Sequence, residues 1–274
     1  MTNATLEAKI GKNEVYYSAA PFNKAYDSLK AVGAELISPE KLAKYRAKSN
    51  KNSSLWQNGS YVNVGVIYAN NQIILVKGKS PITESSETAK AATEAHRKGI
   101  EYLIAGDVAN KYVALAQKGD KSVFVVKDRK SISTGSFDKS DLAIWLFGSK
   151  KFAKAYGASL REKGVKEMPL NFNNEEYIKR QEKPYANQLW LGSLGFGSLV
   201  NGCSRSLDCG SGARGVRSKK TAEGSRAANL PYTKPYTNTQ LEKQIALANA
   251  VKAGSLPNSK LENLVRFLEN LRVN

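Results

Sequence analysis

The glycine run Gly210-Ser-Gly212-Ala-Arg-Gly215 has a spacing that matches, letter for letter, the pattern that cradles a dinucleotide pyrophosphate. That chemistry needs a hydrophobic strand before the first glycine and a helix after the last, so that helix-terminal amides meet the phosphates. Here Cys203 to Cys209 is no buried strand, and Val216-Arg-Ser-Lys-Lys-Thr221 opens no apolar helix, so no nucleotide cofactor is expected. A hydrolytic triad would have to use His96, the only histidine. It sits in the polar helical run Glu94-Ala-His-Arg-Lys98, reads as a solvent-exposed helix residue, and is accompanied by no nucleophile elbow. Glu175 and Glu176 suit a helix start rather than a general acid–base pair. The two cysteines, Cys203 and Cys209, are too few for a cysteine-rich zinc site. Their spacing allows a small loop disulfide, but a reducing compartment with both as incidental thiols fits better. No catalytic residue, metal site or cofactor is expected.

A second chemistry is electrostatic. Arg205, Arg214, Arg217, Lys219, Lys220 and Arg226 form a basic cluster with little acid nearby. Interleaved with Phe196 and Trp190, it would bind phosphate or single-stranded nucleic acid. Trp190, however, lies in an apolar run and reads as core. The chain as a whole carries 42 Lys and Arg against 24 Asp and Glu, a formal charge of +18. The lysines are scattered through every expected element, so the charge reads first as a solvated basic surface. Nucleic acid is thus the second choice of partner.

The elements that must position such residues follow from periodicity. With 274 residues and 41% hydrophobic content the chain can bury a stable core as one large or two modest domains. Val15 to Ala20 is a short strand, and Phe22, Ala25, Tyr26, Leu29, Val32 and Leu36 make a helix over 22–36, broken near Gly33. Ser38-Pro39-Glu40 starts another helix, with Ser38 as cap. Residues 60–77 read as a hairpin turning at Asn70-Asn71. Residues 80–165 are richer in Ala, Lys and helical periods: helices at 83–98, 107–118, around 142–147 and at 152–163, and a strand at 121–127. Thr239-Gln-Leu-Glu242 is a capping box, followed by the stripes Leu241, Ile245, Ala248, Val251 and Leu261, Leu264, Val265, Leu268, Leu271. No apolar h-region follows Met1, and no run is long enough to span a bilayer. The expectation is a soluble protein, cytoplasmic by default, whose oligomeric state the sequence leaves open.

Between the strand-like Leu189-Trp190-Leu191 and Arg214-Gly215-Val216-Arg217 lies a stretch of small, polar and mixed residues without a helical or strand period. It cannot fold alone, so its ends must be pinned by a sheet belonging to the rest of the chain. This frame, with Gly192-Ser193-Leu194, Ser198, Gly202, Arg205 and Leu207, resembles the variable region of diversity-generating retroelement variable proteins, in particular the archaeal members. The pattern over 13–77 is similar to the family's opening strand and two helices. The resemblance implies an α+β, C-type-lectin fold of the formylglycine-generating-enzyme type, and a ligand-binding activity. In that family an error-prone reverse transcriptase rewrites adenine-templated codons at certain positions while frame residues stay fixed.

Carried onto this chain, Leu189, Trp190, Leu191, Arg205, Arg214, Val216 and Arg217 are scaffold anchors. Gly195, Phe196, Gly197, Leu199, Asn201, Cys203, Ser204, Ser206, Asp208, Cys209, Gly210, Ser211 and Ala213 are the varying, outward-facing set. On this view the cysteines are sampled members of that set. The expected organisation is a lectin-like domain at 1–217, with a helical insertion at about 80–165 and the variable region at 189–217. A two-helix extension at 218–274 follows it, where the family commonly ends. The Glu-Pro-Asn, Gln-Pro-Asp and Trp-Asn-Asp motifs of calcium-dependent sugar binding are absent, and neither cysteine fits a catalytic pair. The expected partner is a protein or surface ligand.

Overall fold

Strand β1 (Thr5–Ile10) pairs antiparallel with β2 (Asn13–Ser18) across Gly11, with a shift of register between Leu6 and Ala8. The structure is a computed structural model that describes residues 3–78, 80–194, 199–203, 207–208 and 210–218, all within the compact unit Met1–Lys219. The helices expected from the stripes at 241–271 lie outside the described residues.

After Pro21, α1 (Phe22–Ala31) buries Phe22, Ala25 and Leu29. The helical period continues to Leu36, but the helix does not. Gly33 adopts φ +67°, and Gly33 N–H and Ala34 N–H turn back to the carbonyls of Lys30 and Leu29. That left-handed stop frees Glu35–Leu36 to form β3. In α2 (Pro39–Lys48) the Ser38 hydroxyl accepts from Lys41 N–H, as the sequence anticipates. The short α3 (Ser54–Gln57) delivers Trp56, whose indole N–H donates to Arg46 O at 2.9 Å. The buried Arg46 guanidinium donates back to Leu55 O at 2.9 Å, and burial lowers its pKa to about 10. β4 (Ser60–Ala69) and β5 (Gln72–Lys77) form the expected hairpin, with Asn70 and Asn71 at φ 50° and 59° supplying its two left-handed turn positions.

The insertion carries α4 (Ser86–Arg97), β6 (Tyr102–Leu103), α5 (Gly106–Gln117), β7 (Val123–Val125), β8 (Ile132–Ser133), α6 (Asp141–Phe147) and α7 (Lys150–Glu162). Ser85 closes a reciprocal capping box with Thr88, and Ser140 caps α6. The chain continues through β9 (Glu167–Met168), β10 (Leu170–Asn171), α8 (Glu175–Arg180), β11 (Tyr185–Leu191), β12 (Val200–Asn201) and β13 (Ala213–Ser218). Asn174 caps α8, with Glu175 and Glu176 in its first turn.

The main sheet runs β1-β2-β13-β4-β11-β12-β10, with β5 joined to β4 and β7 to β5; β8 and β9 pair separately. Alternation along β4 divides the core. Val62, Val64 and Val66 face one apolar cluster with residues of α2, α6 and α7, while Tyr61 and Ile67 face another built on α1, α4 and α5. This mixed arrangement, helices over both faces of a mainly antiparallel sheet, is the α+β class expected. No helix among the described residues is long and apolar enough to cross a membrane.

Candidate ligand-binding face

Both ends of the 189–217 stretch are strands inside the sheet. β11 lies between β4 and β12, and β13 lies between β2 and β4, so the stretch leaves and returns on either side of β4. Leu189 and Leu191 are buried. Trp190 is only partly buried, packing across the Gly59 backbone, where a Cβ would lie 1.9 Å from its ring.

Arg214 is 0% exposed. Its Nε and Nη2 donate to both oxygens of Glu7 at 2.7 and 2.8 Å, and its remaining donors reach the carbonyls of Asn58, Gly59 and Ser54 at 2.8–3.1 Å. The planar guanidinium fork thereby ties β13 to β1 and to the loop before β4. Arg217 pairs with Glu14 at 2.6 Å, which holds that carboxyl below its usual pKa, and donates to Val32 O at 3.0 Å. Val216 packs in the core.

Between these borders the described residues are fastened at intervals. Gly192 N–H donates to Leu199 O at 2.7 Å, Leu194 N–H to Trp56 O at 2.9 Å, and Val200 N–H to Pro169 O at 2.9 Å. Gly202 O accepts from Tyr68 OH at 3.0 Å and from Asn187 Nδ2 at 3.1 Å. A side chain at Gly202 would meet the Phe172 ring at 2.6 Å. Leu207 O accepts from Phe22 N–H at 2.9 Å. Leu194, Val200, Gly202, Leu207 and Gly212 are buried, whereas Leu199, Asn201, Cys203, Asp208 and Ser211 are partly exposed and Gly210 is exposed.

Ala213 departs from the expected outward-facing set. It opens β13, pairs with Ser18 and Tyr61, and is 0% exposed, so any larger side chain there would collide with the sheet. Gly195, Phe196, Gly197, Ser204, Arg205, Ser206 and Cys209 lie outside the described residues, as does any pairing of Cys203 with Cys209.

A second departure is His96. The polar run around it suggested a solvated helix surface, yet the residue is 7% exposed, on the face of α4 that turns toward the sheet. Its Nε2 stands 4.0 Å from Glu101 Oε2, whose other oxygen accepts from Tyr177 OH at 2.7 Å. Burial lowers the imidazole pKa to about 4, against the opposing pull of Asp208 and Asn187. The imidazole is therefore neutral at neutral pH, with Asp208 of the loop near enough to act on its charge.

Sequence reasoning also missed the supports outside the stretch. Tyr68, Asn187 and Phe172 seat Gly202, while Asn171 Nδ2 lies 3.4 Å from Asn201 Oδ1 and 3.2 Å from Cys203 Sγ. One signal was present: Asn187 and Gln188, two amides inside the apolar strand Tyr185–Leu191, required buried partners.

The glycine pattern serves the turn into β13. Gly212 adopts φ +69° beside the Tyr17 hydroxyl, which a Cβ would approach to 2.5 Å, and Gly215 passes under Leu29. Since residues 213–218 are strand, no helix N-terminus faces these glycines. The nucleic-acid reading also loses two of its cations, because Arg214 is buried on Glu7 and Arg217 is engaged by Glu14. Arg205, Lys219, Lys220 and Arg226 lie outside the described residues. Among the described residues no group of three or more His, Cys, Asp or Glu is placed to hold a metal ion.

Compared by sequence, the chain matches no family model and no curated protein. Compared by structure, it is similar to a solved protein described under the heading "Accommodation of massive sequence variation in Nanoarchaeota by the C-type lectin fold". The TM-score is 0.54 at 16% identity, covering 80% of this chain and 98% of that one. The fold is that of the C-type lectins.

Proposed function

We propose that this chain is a ligand-binding variable protein of an archaeal diversity-generating retroelement, presenting exchangeable side chains from residues 195–212 on a C-type-lectin scaffold. The observation that carries this reading is the division of labour within the stretch. Val200, Gly202, Leu207 and Gly212 are buried and fastened, while Asn201, Cys203, Asp208, Gly210 and Ser211 between them reach the surface. Exchange at exposed positions changes stability by about 0.5 kcal/mol or less. A buried leucine or valine costs roughly 1.5–3 kcal/mol to lose from the core. Such a surface can change its chemistry from copy to copy while the fold stays intact. The structural neighbour, a C-type lectin fold that accommodates massive sequence variation in Nanoarchaeota, supports the reading. The partner is a protein or surface ligand whose chemistry is set by the copy.

Sequencing the DNA around the gene tests this. The expected finding is a reverse-transcriptase gene beside a near-copy of the 189–217 coding stretch, differing mainly at adenines. Absence of both would overturn the proposal.

A further inference from the structure

A cleft of about 870 Å³ opens between β7, the 127–131 loop, β8 and α6, and apart from Leu170, which pairs with Val200, its lining is not paired with the variable stretch. Its size falls within the range of ligand sites. Val123, Phe124 and Val125 all line it. Consecutive side chains of a strand point to opposite faces, so three in a row can border one cavity only where the strand's edge faces it. β7 pairs with β5 alone among the described residues, which makes it an edge strand. Ser122 O and Val126 N–H bond toward β5, to Lys77 and Ile73. The alternation therefore turns Val125 N–H and the carbonyls of Val123 and Val125 to the side away from β5. An edge that borders a cleft is a template for a further strand.

The charge around that edge is specific. Lys121, Lys127, Lys130 and Lys139 line the cleft, and none forms an ion pair among the described residues. The carboxylates beside them serve the local chain. Asp120 accepts from Ser122 N–H and Oγ–H at 2.7 and 2.6 Å, Asp128 accepts from Lys130 N–H at 2.9 Å, and Asp141 lies in the first turn of α6. Ile132 and Leu142 contribute buried apolar surface. The aromatic pair does not form a platform for bases: the Lys77 ammonium lies over the Trp145 ring at 4.3 Å, and Phe124 leans on it at 5.6 Å.

From this combination we infer a second binding site, in which an acidic, extended peptide segment of a partner protein adds as a strand to the free edge of β7. Main-chain bonds to Val123 and Val125 give affinity. The four lysines select carboxylate side chains, and alternate apolar side chains enter the cleft. The site contains no residue of the variable stretch, though Leu170 in its lining pairs with Val200, and the inference does not rest on the proposed function.

Titration of the full chain with a labelled, end-blocked peptide alternating Glu and Val tests the inference. Binding is expected, and N-methylation of the amides along one peptide edge should weaken it by roughly tenfold or more, while methylation along the other edge is tolerated. Reversing the exposed lysines in a Lys127→Glu, Lys130→Glu variant should cost a similar factor, and substitutions at Asn201 or Ser211 should cost nothing. The N-methyl arm leaves the protein unaltered, so it reads β-addition independently of folding. The inference is overturned by no binding, by equal binding of both methylated peptides, by equal binding of a Lys-Val peptide, or by tighter binding of an oligothymidine.

Discussion

Arg214→Ala is expected to lower the free energy of unfolding by about 3–5 kcal/mol, the cost of stranding a buried charge and its hydrogen-bond partners. The guanidinium is 0% exposed and Glu7 nearly so, and removing it leaves that carboxylate and three carbonyl groups facing a void. Arg214→Lys should recover only part of the loss, because an ammonium cannot reproduce the two-pronged contact with Glu7 while also reaching Asn58 and Ser54. Urea denaturation of the three proteins measures this. A loss below about 1 kcal/mol for the alanine variant, the scale of a surface pair, would show that the network does not hold β13 in place.

A comparable effect is expected from pH through His96. Its native pKa is near 4, whereas an unfolded histidine takes up its proton near 6.5. Below pH 6.5 the unfolded chain binds a proton that the native protein refuses, so stability is fully present above that pH and declines as pH falls toward 4. The expected decline is about 3 kcal/mol. The groups facing the ring are Glu101, Asn187 and Asp208, with Tyr177 bonded to the far side of Glu101. Other carboxylates also titrate in this window. The diagnostic is therefore the difference between the wild-type curve and that of His96→Gln, measured by denaturation at fixed ionic strength. The variant should lose most of the slope between pH 6.5 and 4, and parallel curves would contradict the buried, neutral assignment.

Much of the architecture was readable from local chemistry. Ser38-Pro39-Glu40 starts a helix where expected, and Asn70-Asn71 turns the β4–β5 hairpin. What was not readable depends on distant partners. β1 escaped notice because its alternation is weak and its partially buried residues gain their place only against β2. The two-residue strands β3, β10 and β12 have no sequence period and are defined entirely by pairing. The break near Gly33 was readable, but that Glu35 and Leu36 beyond it pair with β13 was not. His96 looks polar in its own helix because the groups that act on it from outside the helix, Asn187 and Asp208, are distant in sequence. Arg214 finds Glu7 across almost the whole described chain. In the loop, Val200 and Gly212 were not among the frame positions, but the borders and Leu194, Gly202 and Leu207 could be read by resemblance. The burial of Ala213 could not, since it depends on how early β13 joins the sheet.

The most direct test of the account is a display library in which Asn201, Cys203, Asp208, Gly210 and Ser211 are randomised together, compared with libraries randomised at Val200, Gly202 and Leu207. Protease resistance reads the folded fraction of each. The first library is expected to remain folded almost throughout and to yield members that bind different targets. The second should lose most of its members, because Val200 is part of the buried core, a side chain at Gly202 would run into Phe172, and Leu207 is buried where its carbonyl accepts from Phe22 N–H. Equal loss from both libraries would contradict the claim that a fixed frame carries the fold while the residues between its fastenings are free to change.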